Sequence, residues 1–526
     1  MRVLVSDPLH EVGINLFREE EGISVDVKTG LPPDELKSII GRYHALVIRS
    51  ATKVTADVLE KATALKVVGR AGIGLDNVDI PEATKRGIVV MNTPTGNIIT
   101  TAEHTIAMMM SLSRNIPEGT TSLKSGRWEK KKLQGREVYK KVLGVIGFGK
   151  IGSIVADRAR GLRMNVIVHD PYVAPEQIEK AGFESVLLED LFRKADYITM
   201  HVPKMKETTG MLNRDAFEKM KDGVMIINCA RGGIVDEDDL NQAIQSGKVG
   251  GAALDVFATE PPGTCSLLAD ERVICTPHLG ASTREAQVNV AVAVAREIID
   301  YLKKGTVMNA VNAPSVTGEL LNTIGPYLRL ADRMGHMMAQ LCRGAFQKIT
   351  LEYAGDFKGI DITPVSTAFL KGLLTPMVKD DVNFVNAAVL AKERGINVAE
   401  TTTPDAAQYL NLITADAVTT EMTQTIKGTI FGKSRPHIVT IDDFHLSLEP
   451  EGHFAYIRSA NRPGAFGDIT SLLGRRSINI NRMSVGVGNG GGSNIVFLST
   501  DTPIPDAVMA DLKDLAVVEN VQLVDL

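Results

Sequence analysis

The sequence predicts a multidomain α/β protein in which one parallel, helix-covered sheet is inserted into another, followed by an α+β region and a small βαββαβ unit. Three observations predict it. Short apolar runs alternate with amphipathic segments from Val3 to Lys304, which is how parallel strands joined by crossover helices read. The apolar run Val142 to Ile146 leads straight into Gly147-Phe148-Gly149-Lys150-Ile151-Gly152 and then a helical stretch. From His453 onwards the order is strand, helix, strand, strand, helix, strand, a ferredoxin-like arrangement. At 526 residues the chain exceeds what one hydrophobic core supports, and about 150 residues per domain predicts three or four domains.

Composition removes several functions from consideration. A net charge of −5, spread without blocks, argues against nucleic acid as the main partner, so an anionic substrate has to be met by a few placed Arg or Lys. Cys229, Cys265, Cys275 and Cys342 show neither CxxC pairing nor metal-ligand spacing. They read as reduced thiols of a cytoplasmic protein, with no metal expected. No apolar run reaches the roughly 18 residues needed to cross a bilayer, so no membrane partner is expected. The chain opens on strand-like Met1-Arg2-Val3-Leu4-Val5 rather than on a signal peptide.

In chain order, Val3 to Ser6, Ala45 to Ile48, Lys66 to Gly69 and Ile88 to Met91 read as strands of the first sheet. Ligands of open α/β sheets bind at the carboxyl ends of strands, which singles out Arg49, Arg70, Gly72 and the loop ending at Asn97. Position alone leaves the two arginines as anion ligands or as solvated surface side chains. Ile98 to Leu112 reads as a helix that carries the chain into the inserted domain, with His104 on it as a satisfied core histidine. Gly126 to Lys132, containing the only Trp, reads as a charged exposed face.

The stretch from Lys141 to Asp170 is strand, Gly-rich turn, helix, strand. Gly147 permits the tight turn, Gly149 lets backbone approach a pyrophosphate and Gly152 allows close helix–strand packing, while the helix start favours phosphate. Asp170 closes the second strand, where a carboxylate takes both ribose hydroxyls and repels a 2′-phosphate. The reading is a Rossmann-type domain that binds NAD rather than NADP. Strands then recur at Tyr197 to Met200, Val224 to Asn228, Gly251 to Val256 and Val273 to Thr276, and their ends present His201, Ala230-Arg231, Asp255 with Glu260, and His278 to Ala281. Arg231, Glu260 and His278 beside a nicotinamide form a hydride-transfer set: Arg binds a carboxylate, His moves the hydroxyl proton and Glu orients the His. Thr283 to Lys304 is a helix long enough to return to the first sheet, and Asn312 to Gly318 reads as a linker. Residues 319–448 mix helices with Val/Ile/Thr-rich strands such as Lys348 to Tyr353. The terminal unit has a polar turn, Asn461-Arg462-Pro463-Gly464, with Asn479 before its second strand.

With GFGKIG and Asp170, NCARGG, DVFATEPP and TPHLGAST in this order, and with RAGIGLDNVD and NTPTGN before them, the chain resembles the D-isomer-specific 2-hydroxyacid dehydrogenases. The resemblance is to the long form that carries an intervening domain and a terminal ACT domain. It implies a substrate domain of flavodoxin-like fold at 1–98 and 283–312, an NAD domain at 99–282, an intervening domain at 313–448 and an ACT domain at 453–526. The implied activity is NAD-dependent oxidation of 3-phosphoglycerate to 3-phosphohydroxypyruvate in L-serine synthesis. By the same resemblance Arg231, Glu260 and His278 are catalytic, and Arg49, Arg70, Gly72 and Asn97 bind substrate. Gly147, Gly149, Lys150, Ile151, Gly152, Asp170, His201, Ala230, Asp255, His278, Gly280 and Ala281 bind NAD. The segment around Trp128 to Lys132 looks like a dimer arm, which implies a homo-oligomer, dimer or tetramer. Asn461 and Asn479 would bind an amino-acid effector, L-serine first, although Ser459 and Ala460 stand where serine-inhibited relatives often present His or Asp. Two other readings remain open on sequence: reduction of glyoxylate or hydroxypyruvate on the same scaffold, and a dinucleotide-sensing scaffold.

Overall fold

Val3, Leu4 and Val5 are wholly buried, as a strand covered by helices on both faces requires. The computed structural model describes every residue except 315–317, 358–359, 379–380, 433, 489–491, 501 and 503, so part of the expected 312–318 linker lies outside the described residues. The first sheet comprises β1 (Arg2–Val5), β2 (Ser24–Val27), β3 (Ala45–Ile48), β4 (Val67–Arg70) and β5 (Val89–Asn92), in the order β2-β1-β3-β4-β5. All its pairings are parallel, and the order is that of flavodoxin-like folds. β2 is absent from the sequence reading because it is a short edge strand with no buried residue.

The second sheet comprises β6 (Val142–Ile146), β7 (Asn165–His169), β8 (Glu184–Ser185), β9 (Tyr197–Met200), β10 (Val224–Asn228), β11 (Val249–Leu254) and β12 (Val273–Cys275). Its order, β12-β11-β10-β9-β6-β7-β8, is doubly wound about β6 and β9, the Rossmann arrangement. The Arg284–Lys304 helix is capped by Thr283, whose hydroxyl accepts from the Ala286 amide, and it stops at Gly305 in the left-handed conformation. Its apolar stripe of Val290, Val294, Ala295 and Ile298 packs against Val3, Val5, Val47 and Val67 of the first sheet. Burial of each larger side chain contributes roughly 1.5–3 kcal/mol, and this returns the chain to its starting domain.

The remainder is one mixed ten-stranded sheet. It is built from β13 (Phe346–Gly355), β14 (Asn397–Thr403), β15 (Asn411–Thr419), β16 (Thr423–Phe431), β17 (Arg435–Ile441), β18 (Phe444–Leu448), β19 (His453–Ala460), β20 (Ile480–Gly488), β21 (Ser493–Thr500) and β22 (Val518–Asp525). Their order is β14-β13-β15-β16-β17-β18-β20-β21-β19-β22. The last four strands with the Ala465–Arg475 and Asp506–Lys513 helices form the βαββαβ unit. Its two edges are less open than the sequence suggests. β20 pairs with β18 at Phe444↔Gly488 and His445↔Val487. On β22, Gln340 Nε2 donates to the Asp525 carbonyl at 2.8 Å and the Asp525 amide donates back at 3.0 Å, which blunts an otherwise open edge. Phe454 and Phe497 share one core with Phe444 and Leu448, so this unit and the preceding region are packed together.

Candidate active site

In open α/β sheets ligands bind outside the carboxyl ends of strands, where strand order reverses. Here the reversals fall between β1 and β3 in one sheet and between β6 and β9 in the other. Arg49 after β3, Gly149 and Lys150 after β6 and His201 after β9 line one cleft of about 1070 Å³. Arg70, Gly72, Asn97, Ile151, Ala230, Arg231, Asp255, Glu260, His278, Gly280 and Ala281 line it as well. Gly147, Gly152 and Asp170 are not among the lining residues, and Asn461 and Asn479 lie in the terminal unit.

On the first sheet's side, backbone anchors set the arginines. The Asp7 carboxylate accepts from the Arg49 amide at 2.6 Å and from the Thr52 amide and hydroxyl at 3.1 and 2.7 Å. Asn77 Nδ2 donates to the Arg49 and Thr52 carbonyls at 2.7 and 2.6 Å, and Arg70 Nε donates to the Arg49 carbonyl at 3.3 Å. Burial, with the charge of Arg231 adding to it, lowers the Arg70 guanidinium to about 10, and burial lowers Arg49 too. Both remain cationic at neutral pH, in a cleft that therefore favours an anion. Asn97 Oδ1 is buried with no hydrogen-bond partner, a polar atom that a bound ligand would satisfy.

On the second sheet's side the glycines make a cradle. A Cβ on Gly152 would fall 2.0 Å from the Gly147 carbonyl oxygen, and one on Gly147, at φ +93°, would fall 2.6 Å from that of His201, whereas at Gly149 nothing stands within 4 Å. The turn is thus closed towards the strands and open at Gly149, where the 12-residue Lys150–Gly161 helix begins. This fits a dinucleotide pyrophosphate. Asp170 is fixed at the end of β7 by the amides of Phe148, Tyr172 and Val173 at 2.7, 2.8 and 3.2 Å. Burial lowers His201 to about 4, so it is neutral, with Nε2 3.0 Å from the Thr199 hydroxyl.

Between these sides lies an Arg, Glu and His set. Asn228 ends β10, accepts from the Ala230 amide at 3.1 Å and donates to the Arg231 carbonyl at 3.0 Å, which orients the Arg231 loop. A Cβ on Gly232 would fall 1.7 Å from the Phe257 carbonyl oxygen, so only glycine lets this loop press against the one carrying Glu260. Glu260 Oε1 accepts from the Phe257 amide at 3.2 Å, and Oε2 lies 2.7 Å from His278 Nδ1. His278 sits at φ +53°, a conformation that costs about 1–3 kcal/mol for a non-glycine residue. Its amide donates to the Asp255 and Thr276 carbonyls at 2.9 and 3.0 Å. The Asp255 carboxylate, 1% exposed, accepts from the Leu279 and Gly280 amides at 2.6 and 2.8 Å and from the Thr276 hydroxyl at 2.5 Å. Burial alone would raise its pKa, but the bonds from His104, Thr276 and Leu279 outweigh it and hold the carboxyl below its ordinary range.

Asp255 is thus the anchor of the turn that presents His278. His104, read from sequence as a core histidine, supplies part of that anchor with Nε2 3.2 Å from Asp255 Oδ1. Asn228 opens the NCARGG motif and Asp76 and Asn77 lie within RAGIGLDNVD, but the sequence reading assigns no individual role to them or to Asp7. Asp7 and Asn228 sit at strand ends, where the strand-end rule finds them; Asp76 and Asn77 lie in a loop without periodic signal. Trp128 is 81% exposed. In the terminal unit Asn461 Oδ1 accepts from Asn494 Nδ2 at 3.0 Å, and Asn479 Nδ2 donates to Asn481 Oδ1 at 3.3 Å. Among the described residues no helix is long and apolar enough to cross a membrane, and no cluster of His, Cys, Asp or Glu could hold a metal ion.

Family models match three segments: D-isomer specific 2-hydroxyacid dehydrogenase, NAD binding domain, over 106–280; D-3-phosphoglycerate dehydrogenase intervening domain over 323–442; and ACT domain over 453–517. The D-3-phosphoglycerate dehydrogenase of Synechocystis sp. is 42% identical over 526 residues, covering 100% of this chain and 95% of that protein. The chain belongs to the D-3-phosphoglycerate dehydrogenase family. It is a long-form member, with intervening and ACT domains after the NAD domain. The enzyme of that name from Bacillus subtilis is likewise 42% identical, with 100% and 99% of the two chains covered. Among solved structures, D-lactate dehydrogenase from Aquifex aeolicus, complexed with NAD and lactic acid, matches 60% of this chain and 100% of its own at 28% identity and a TM-score of 0.53. A glyoxylate reductase from Paecilomyes thermophila matches 59% of this chain and 98% of its own at 26% identity and a TM-score of 0.56. Both shares are close to the length of the first two sheets alone.

Proposed function

We propose that this cleft oxidises 3-phosphoglycerate to 3-phosphohydroxypyruvate with NAD, the first step of phosphorylated L-serine synthesis. The observation that carries the reading is the His278–Glu260 pair, 2.7 Å apart, in a cleft that also gathers Arg49, Arg70 and Arg231. A substrate bearing both a phosphate and a carboxylate uses all of these cations. Membership of the family supports the same substrate.

With Nδ1 held by Glu260, His278 Nε2 is the atom that takes the hydroxyl proton, and Glu260 fixes the tautomer and stabilises the imidazolium that results. Arg231 clamps the carboxylate beside the alcohol carbon, and Arg49 and Arg70 meet the phosphate, with Gly72 and Asn97 beside them. NAD, when bound, supplies the hydride acceptor. Gly147, Gly149, Lys150, Ile151 and Gly152 would hold its pyrophosphate, Asp170 its ribose hydroxyls, and His201, Ala230, Asp255, Gly280 and Ala281 its nicotinamide half.

The domain limits that accompany this reading are 1–98 with 283–312, 99–282, 313–448 and 453–526. Location in the cytoplasm, a homo-oligomer formed through the Trp128 to Lys132 arm, and L-serine as an effector held by Asn461 and Asn479 belong to it as well. The direct test is NADH absorbance after mixing protein, NAD and 3-phosphoglycerate at alkaline pH. A steady rise is expected. No rise, combined with NADH oxidation by glyoxylate or hydroxypyruvate, would replace the substrate assignment.

A further inference from the structure

Arg231 already holds a carboxylate. Its Nε donates to Asp76 Oδ2 at 3.2 Å, and the bond spans the cleft, since Asp76 follows β4 of the first sheet and Arg231 follows β10 of the second. The guanidinium occupies space that a side chain at residue 74 would need: a Cβ on Gly74 would fall 2.0 Å from the Arg231 terminal nitrogen and 2.9 Å from Asp76 Oδ2. The pair is open to exchange, because the Asp76 side chain is 61% exposed and that of Arg231 28%. Water can solvate Asp76 as soon as another anion takes its place. At Arg70 the charge of Asp76 also offsets part of the repulsion from Arg231 and Arg49.

We propose that Asp76 is an internal stand-in for the substrate carboxylate: it holds Arg231 in the cleft before substrate arrives and competes with the substrate's carboxylate for the same guanidinium. This rests on the reading of Arg231 as the carboxylate clamp. The competition touches only one of the substrate's two anionic groups. Asp76 therefore acts on carboxylate affinity through a direct bond and on phosphate affinity only through its charge near Arg70, so the first changes more than the second.

The experiment is Asp76→Asn in the full chain, with KM measured for 3-phosphoglycerate and the inhibition constant for glycerol 3-phosphate, which has the phosphate and no carboxylate. Removal of a competing, solvent-exposed ion pair should lower KM for 3-phosphoglycerate roughly two- to fivefold. The glycerol 3-phosphate constant should move by much less, and Asp76→Glu should restore the wild-type KM. A KM that stays the same or rises overturns the proposal, because Asp76 would then be idle or a plain support for Arg231. Equal tightening of both ligands overturns it too, since that is a long-range charge effect. Arg231→Gln separates the layers. If it raises KM while Asp76→Asn does not lower it, the clamp stands and the stand-in falls; if it leaves KM unchanged, the clamp reading itself fails and Asp76 with it.

Discussion

Glu297 sits inside the Arg284–Lys304 helix and is 7% exposed. One carboxyl oxygen accepts from Asn309 Nδ2 at 2.6 Å, and the other has no partner. Burial raises the carboxyl from 4.5 to about 7, against a smaller downward pull from Asn309. An unfolded carboxyl loses its proton near the ordinary value, whereas the folded one keeps it until the higher pH. Its stabilising effect is thus fully present below the lower value and is lost as pH rises through about 7. A rise of about 2.5 units, at about 1.36 kcal/mol per unit, corresponds to about 3 kcal/mol by pH ~8. Glu297→Gln keeps an acceptor for Asn309 and removes the ionisation. The variant should therefore gain about 1–3 kcal/mol over wild type at pH ~8 and almost nothing at pH ~4.5. A multidomain chain does not unfold in two states, so the readout is hydrogen exchange of the Arg284–Lys304 amides across this pH range, corrected for intrinsic rates. The Asn92 amide donates to the Asn309 carbonyl at 3.3 Å, so the same dependence should reach the end of β5 and the loop leading to Asn97. Parallel pH profiles for the two proteins would refute the burial argument.

Asp170→Ala should weaken NAD binding and relax discrimination against NADP, as measured by kcat/KM with each cofactor; an unchanged preference would remove Asp170 from cofactor choice. His278→Ala should lower turnover by roughly two to four orders of magnitude, and wild-type turnover at any pH would contradict its role. Arg49→Gln or Arg70→Gln should impair 3-phosphoglycerate far more than glycerate, and equal losses would mean that neither arginine meets the phosphate. L-Serine should bind the full chain in calorimetry, with Asn461→Ala weakening it; heat that is identical for both proteins would place the effector elsewhere.

The two parallel sheets were legible because both signals are local. Wholly buried strands such as Ala45–Ile48 and Val224–Asn228 read as unbroken apolar runs, and the Gly147 to Gly152 turn carries its own geometry. What stayed hidden was short, exposed or long-range. β2 and β8 gain their pairing from a neighbour rather than from hydrophobicity, since neither buries a residue. The continuity of β18 with β20 depends on two backbone pairings between segments that each resemble the margin of an independent unit.

The same division runs through the site. Arg49, Arg70, Arg231 and His278 could be singled out because strands end there, and one dimension suffices to see a strand end. Other groups of the site obey no such rule: Asp76 is 155 residues from Arg231, and His104, on a helix, is 172 from Thr276. The Asp76–Arg231 bond exists only because the carboxyl ends of two sheets meet over one cleft, and its chemistry follows from that meeting. Arg70 is desolvated and repelled by Arg231 and Arg49, so the cleft carries a demand for negative charge. Asp7 meets part of that demand by its charge near Arg49 and Asp76 part of it through its bond to Arg231, but neither reaches Arg70 by a hydrogen bond among the described residues. The demand left over is strongest where Arg49 and Arg70 stand together, and a dianionic phosphate answers it better than a second carboxylate. If Arg49 and Arg70 meet the phosphate as proposed, selectivity for a phosphorylated hydroxy acid comes less from the shape of the cleft than from the charge its own acids leave unneutralised.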